Sequence, residues 1–76
     1  MTQYEIDKQV GTAVGYAYGR VARALGMGDL AGADPNTQHF AETHSDTALA
    51  FYIANWRIGW LSADATIQTT QKAINK

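Results

Sequence analysis

The sequence predicts an all-α protein: an antiparallel hairpin of two long helices, joined through a short helical turn and assembling as a helical bundle. Apolar residues recur at steps of three and four along both halves of the chain, which is the spacing of amphipathic helices. Between the halves, residues 26–36 contain three glycines and the only proline, a composition typical of a connection. We therefore expect one helical domain over residues 1–76.

Composition excludes several classes of function. The chain has 76 residues and no cysteine, so neither disulfides nor thiolate metal sites stabilise its small core. A net charge of −1 argues against general nucleic-acid binding. The least polar run, residues 10–19, is shorter than the roughly 20 residues that span a bilayer. No basic region followed by an apolar core begins the chain, so we expect a cytoplasmic protein without a membrane partner.

The first predicted helix covers about residues 2–25. Thr2 and Glu5 have the spacing of a capping box, and Gly26 and Gly28 are suited to end the helix. One side of this helix is apolar and is predicted to pack against the second long helix. Its members are Ile6, Val10, Ala13, Val14, Ala17, Val21, Ala24 and Leu25.

Glycine recurs at every fourth position of the first helix, at Gly11, Gly15 and Gly19. Each glycine in a helix costs about 1 kcal/mol relative to alanine, so the repeat needs an explanation. The glycines could make room for Trp56 and Trp60 of the long helix. They could instead form a close-contact face for a second copy or a target, as small-residue stripes do in membranes, or break the helix near its middle.

The connection, about residues 26–44, is acidic. Asp34 and Pro35 suit the N-cap and first position of a short helical turn that ends near Glu42 and is anchored by Phe40. Residues 29–46 contain four acids and both histidines but no lysine or arginine. This segment is either a solvated connection or a surface that meets a basic partner.

The second long helix is predicted over about residues 45–74, capped by Thr43, Ser45 or Asp46 and continuous to its end. Its inward stripe follows a heptad spacing. The members of this stripe are Leu49, Ile53, Trp56, Trp60, Ala63, Ile67, Thr70 and Ile74.

A further apolar line on this helix contains Phe51, Ile58 and Leu61, which the first helix cannot also cover. Leaving them exposed would forgo about 1.5–3 kcal/mol for each side chain. A helix that is apolar on two sides needs two neighbours. We therefore expect a homodimer, in which these residues, with Gly11, Gly15 and Gly19, mediate self-association.

No pattern of catalytic or metal-binding residues emerges, so we interpret the chain as non-enzymatic and without a cofactor. The glycines of residues 26–32 follow a helix rather than a buried strand, unlike a dinucleotide loop. His39, Glu42, His44 and Asp46 lack a recognised metal spacing. Ser45 with its two neighbours cannot form a hydrolytic triad, because adjacent side chains on a helix diverge.

The function that we expect is protein–protein contact with a larger protein that has a basic surface, as an inhibitor or adaptor of a larger complex. Small phage proteins that act against host defences are of this size. Tyr52 is either core or contact surface. The predicted contact residues are Asp29, Asp34, Phe40, Glu42, Asp46, Phe51 and Tyr52.

An alternative is a small nucleotide or phosphate binder with its pocket at a subunit interface. Lys8, Tyr16, Arg20 and Arg23 share the polar side of the first helix. Cations beside an aromatic ring can bind a phosphate and stack on a base. A solvated face explains the same residues.

Overall fold

The computed structural model describes residues 1–74, which form three α-helices and one 3-10 turn. Helix α1 spans Gln3–Ala24, α2 spans Pro35–Thr43 and α3 spans Asp46–Ile74, with the 3-10 turn at Ala31–Ala33. Residues 1–74 contain no strand, so the all-α class is confirmed. The two long helices pack against each other, and the short helix lies between them in the chain.

Both ends of α1 agree with the sequence. The side chain of Thr2 accepts a hydrogen bond from the backbone N–H of Glu5 at 3.2 Å. At the other end, Gly26 has a φ of +81°, and its N–H donates to the carbonyl of Arg23 at 3.0 Å. Glycine adopts this left-handed conformation without a steric penalty. The helix is unbroken between these ends, so the glycine repeat does not interrupt it.

The caps of the other two helices are polar side chains as well. The carboxylate of Asp34 accepts from the backbone N–H of Asn36 at 3.0 Å, with Pro35 in the first turn. Ser45, one of the three predicted caps of α3, accepts from the backbone N–H of Ala48 at 3.1 Å. Helix α3 then continues without a break to Ile74, as predicted.

Helices α1 and α3 run parallel, so the predicted antiparallel direction is wrong. The residue numbers of facing positions increase together along both helices. Ser45 Oγ donates to Asp7 Oδ2 at 3.0 Å near one end, and Arg23 Nε donates to Asp64 Oδ1 at 2.8 Å near the other. In chain order, the facing pairs are Asp7–Ser45, Gly11–Ala48, Gly15–Tyr52, Gly19–Trp56 and Arg23–Asp64.

The parallel direction follows from the path of the connection. The chain between α1 and α3 travels back along α3 before α3 begins, so its contacts move toward the start of α3. In chain order, these contacts are Met27–Trp60, Asp34–Trp56 and Phe40–Tyr52. Antiparallel neighbouring helices need only a short connection, whereas this segment is long enough to return to the beginning of α1.

Glycine determines which side of α1 faces α3. A Cβ added at Gly11, Gly15 or Gly19 would collide with a backbone carbonyl oxygen of α3, and one added at Gly59 would collide with the carbonyl of Tyr16. The two backbones are therefore in direct contact.

The apolar side of α1 is consequently not its packing face, contrary to the prediction. Ile6, Val21 and Leu25 are exposed, while Val10 and Val14 are half-buried against the core. The glycine side allows a closer approach of two helices than a row of large side chains does. The buried residues of α1 are Gly11, Gly15, Gly19 and Ala22.

The buried side of α3 overlaps the predicted stripe only in part. Trp56 and Ala63 are buried as predicted, but Ile53 is 44% exposed and Thr70 and Ile74 are exposed. The buried side of α3 is turned about the helix axis relative to the predicted stripe. This is because the glycines of α1 contact the α3 backbone at residues beside that stripe. The buried residues of α3 are Ala48, Tyr52, Trp56, Gly59 and Ala63.

Over the part of the chain that the structure describes, no helix is both long enough and apolar enough to cross a membrane.

Candidate interaction surfaces

Three of the predicted contact residues are core residues. Asp34, Phe40 and Tyr52 are 2%, 4% and 0% exposed, so they cannot meet a partner. Asp34 is buried because it serves two donors. One carboxylate oxygen caps α2, and the other accepts from the indole N–H of Trp56 at 2.9 Å. This pair satisfies two polar groups that would otherwise destabilise the core.

Phe40 and Tyr52 form the centre of an aromatic stack. The Phe40 ring lies 4.4 Å from the ring of Tyr52 and 3.9 Å from that of His44. The hydroxyl of Thr37 lies 3.5 Å from the Tyr52 hydroxyl. Burial raises the pKa of Tyr52, and the nearby carboxylate of Asp34 acts in the same direction. The stack therefore fixes α2 on α3 and is not a contact surface.

The exposed acids lie together at one end of the molecule, which we call the acidic end. Glu42 and Asp46, predicted as contact residues, are exposed at the junction of α2 and α3. The bond between Ser45 and Asp7 joins this junction to the start of α1, which also carries Glu5. Acidic side chains are favourable near helix N-termini, and two such termini meet here. Glu5 and Asp7 were missed because an antiparallel arrangement would place them at the opposite end from Asp46.

Two aromatic side chains adjoin the acidic end. The rings of Tyr4 and Phe51 meet edge to face at 5.9 Å, and Lys8 Nζ lies 5.7 Å from the centre of the Phe51 ring. Tyr4 is exposed, whereas Phe51 is half-buried by these contacts. Phe51 is therefore partly covered within its own chain, and Tyr4 is the accessible member of the pair.

A second exposed surface lies along α3, on residues that face neither α1 nor α2. As expected from the sequence, the protomer leaves Ile58 and Leu61 uncovered, at 54% and 47% exposure. Three exposed alanines extend this surface in both directions. We call this surface the outer face of α3, and its members are Ala50, Ala54, Ile58, Leu61 and Ala65.

An open cleft of about 760 Å³ adjoins the outer face. Leu30 and Ile53 contribute its apolar lining, and both side chains are exposed. Arg57 and Asp29 lie at the same cleft as an exposed pair, with 3.8 Å between Nη2 and Oδ2. Asp29, a predicted contact residue, is thus already beside a cation of its own chain.

The three glycines predicted for self-association are buried inside the protomer. Gly11, Gly15 and Gly19 contact the α3 backbone of the same chain. They are therefore not accessible to a second copy, which corrects that expectation. They make room for the backbone of α3 itself rather than for tryptophan side chains.

Two of the alternative ligand-binding residues are held by α3. A hydrogen bond joins the hydroxyls of Tyr16 and Ser62 at 3.1 Å, and Arg20 Nη1 donates to Ser62 Oγ at 2.9 Å, which leaves the Ser62 hydroxyl able to donate to an ionised Tyr16. The hydrogen bond with Ser62 and the proximity of Arg20 lower the pKa of Tyr16. Both side chains thus join the two long helices, although Tyr16 keeps an exposed ring.

The other two alternative residues do not extend this cluster into a pocket. Arg23 forms an ion pair with Asp64 at 2.8 Å and lies 5.6 Å from the Trp60 ring. Lys8 is twelve residues before Arg20 on α1, which corresponds to about 18 Å along the helix axis. The four residues therefore do not converge on one ligand.

The histidines do not form a metal-binding group with other side chains: within residues 1–74, no three histidine, aspartate or glutamate side chains are arranged so that they could hold one metal ion. His44 Nδ1 lies 3.1 Å from the carbonyl of Phe40 and 2.9 Å from Thr43 Oγ1. His39 is exposed and lines a small cavity of about 150 Å³ between α1 and α2.

Comparison with known proteins gives no relative: no protein-family model, curated protein or solved structure matches this chain.

Proposed function

We propose that this chain is a non-enzymatic binding protein that acts through protein–protein contact, as an inhibitor or adaptor of a larger complex. The observation that carries the proposal is the acidic end, since the parallel helices place Glu5, Asp7, Glu42 and Asp46 at the same end of the molecule. Small phage proteins that act against host defences are one class to which such a chain could belong.

The chemistry of the acidic end favours a partner with a basic surface. Exposed carboxylates attract a cationic surface over distances of about 10 Å at ordinary salt and so accelerate encounter. Tyr4, exposed beside the carboxylates, is the type of side chain that contributes strongly to interface energy. In this proposal, the carboxylates increase the rate of association with the partner, and Tyr4 stabilises the complex once it has formed.

The experiment compares two variants with the same change of net charge. Glu42→Gln with Asp46→Asn removes two charges from the acidic end, and Thr69→Lys with Ala73→Lys adds two charges near the end of α3. Each tagged protein is used to capture partners from lysate of the native host, followed by quantitative mass spectrometry. We expect a partner retained by the wild type and the lysine variant but reduced several-fold with the neutralised variant.

Equal capture by all three proteins would contradict the role of the acidic end. A second variant, Tyr4→Ala, tests the aromatic anchor without changing charge. Tyr4 is exposed and contacts only part of Phe51, so this variant is expected to fold. We expect it to increase the dissociation rate of the captured partner, because short-range contacts govern dissociation more than encounter.

The alternative function, binding of a nucleotide or phosphate, depends on the exposed ring of Tyr16 beside Arg20. A panel of nucleotides and inorganic phosphate tests it by thermal denaturation. A ligand that raises the Tm of the wild type, but not of Arg20→Ala, would favour this function. Unchanged Tm values at millimolar ligand would exclude it.

A further inference from the structure

The outer face of α3 has a spacing that is compatible with a copy of itself. Its apolar residues follow one another at steps of four, four, three and four. Large side chains occupy the middle and alanines the two ends. When a second α3 is turned antiparallel, residues whose numbers add to 115 lie opposite one another, and each alanine position meets another position of the face.

We propose that the outer face of α3 packs against the same face of a second copy, antiparallel, about a two-fold axis between Arg57 and Ile58. Ala54 then faces Leu61 of the partner subunit, so a small side chain receives a large one. Ala50 faces Ala65 of the partner subunit, and Ile58 lies at the axis. A two-fold interface uses the same surface on both subunits, as this pattern requires.

Charge complementarity selects the antiparallel direction. The acidic end lies at the beginning of α3, whereas Arg20 and Lys72 lie toward its other end. An antiparallel pair places Asp46 near the Lys72 region of the partner subunit. A parallel pair would bring two acidic ends together, which is unfavourable.

Arg57 is the charged residue nearest the proposed axis. In each protomer Asp29 lies 3.8 Å from its guanidinium group, so two copies of Arg57 do not meet as uncompensated charges. The aliphatic part of an arginine side chain can cover an apolar neighbour while its head group stays in water. Arg57 can therefore stand over Ile58 of the partner subunit.

The exposed area fits a reversible dimer. The face from Ala50 to Ala65 is about 24 Å long. Two large exposed side chains, Ile58 and Leu61, belong to this face. Two more, Leu30 and Ile53, are exposed at its border. With the alanines and the Arg57 stem, these side chains form an apolar face at the small end of the size range of specific interfaces, so we expect a weak and reversible dimer.

The test is the oligomeric state, measured by sedimentation velocity from about 1 µM to 1 mM. We expect the wild type to change from monomer to dimer in this range. Ile58→Asp with Leu61→Asp should remain monomeric. The matched control is Val21→Asp with Leu25→Asp, which places the same charges on exposed apolar residues of α1 and should still dimerise. Circular dichroism checks that each variant is folded.

A wild type that remains an 8.3 kDa species at 1 mM would overturn the proposal. So would a control that loses the dimer as fully as the outer-face variant. The direction is tested in the otherwise cysteine-free chain by mixing Ala50→Cys and Ala65→Cys proteins under oxidation. Cross-links between positions 50 and 65 support the antiparallel dimer, and a predominance of 50–50 cross-links overturns it. None of these outcomes depends on a target at the acidic end.

Discussion

At the residue scale, three glycines, which have no side chain, determine which side of α1 packs against α3. Gly11, Gly15 and Gly19 together sacrifice about 3 kcal/mol of helix propensity, yet the helix remains regular through all three. Their contribution is the approach of two backbones, since each lies against a carbonyl oxygen of α3. Large apolar residues on the neighbouring side of α1 cannot provide this approach.

Gly15→Ala is predicted to destabilise the protein by about 2 kcal/mol or more, although alanine is the better helix former. Its Cβ would overlap the backbone of Tyr52, which cannot move aside as the end of a flexible side chain can. Gly32→Ala is the control, because nothing lies within 4 Å of the added atom. Urea denaturation measures both, and a Gly15→Ala protein as stable as the wild type would contradict the backbone contact.

The raised pKa of Tyr52 predicts that the free energy of unfolding decreases in alkaline solution. Burial raises its pKa above the ordinary value of 10.0 in the folded state. Its contribution to stability is therefore complete below pH 10 and is lost as the pH rises through the folded-state pKa. Tyr52→Phe should make the free energy of unfolding fall less steeply above pH 10.

Tyr16 is the opposite case and serves as the comparison. Its hydrogen bond with Ser62 and the nearby Arg20 lower its pKa, so the folded state favours its ionised form at high pH. Tyr16→Phe should make the alkaline decrease steeper. Urea titrations at intervals from pH 8 to 11 measure both variants, and identical slopes for the two would refute the assignments.

At the element scale, polar side chains fix α1 against α3 where glycine contacts end. Arg23 pairs with Asp64 near the end of α1, and both side chains are largely shielded from solvent. Ser45 and Asp7 join the beginnings of the same helices. These bonds connect positions of equal order along both helices, so they stabilise the parallel direction and no other.

A double-mutant cycle measures the Arg23–Asp64 pair. We expect a coupling free energy of about 1 kcal/mol between Arg23→Ala and Asp64→Ala, at the upper end for ion pairs near the surface, because the distance is short and solvent is limited. Arg57 and Asp29 provide the control cycle, measured at a protein concentration at which the chain is monomeric, since they lie 3.8 Å apart and are more exposed. Their coupling should be near zero. Equal couplings in the two cycles would contradict this distinction.

At the scale of the whole molecule, the parallel direction concentrates charge. Acids near the starts of α1 and α3 come to one end, and the returning connection adds Glu42 there. The core is small: Phe40, Tyr52 and Trp56 are its large buried side chains. Apolar surface on the outer face of α3 consequently remains available for further contacts.

The parallel direction predicts distances between spin labels in this cysteine-free chain. Labels at Glu5 and Thr47 should be close, because Asp7 and Ser45 are hydrogen-bonded. Labels at Glu5 and Thr66 should be separated by about 30 Å along α3. Pulsed electron paramagnetic resonance at low micromolar concentration measures both pairs. A short distance for Glu5 and Thr66, with a long one for Glu5 and Thr47, would indicate an antiparallel pair instead.

Local signals in the sequence determined the helices and their ends. The Thr2–Glu5 capping box, the Asp34–Pro35 start of α2 and the glycine after α1 each depend on a few neighbouring residues. Uninterrupted apolar periodicity likewise determined the continuity of α3. The exposure of Ile58 and Leu61 followed from counting the apolar sides that one helix could cover.

Only the tertiary structure showed the relative direction of α1 and α3 and which residues are buried in the core. Hydrophobic periodicity is the same for parallel and antiparallel partners, so it could not show that the connection returns along α3. Nor could it show that backbone contact through glycine is preferred to the larger apolar side of α1. Asp34 and Tyr52 became core residues because Trp56, Asn36 and Thr37 satisfy their polar atoms, and those partners are brought together only by folding.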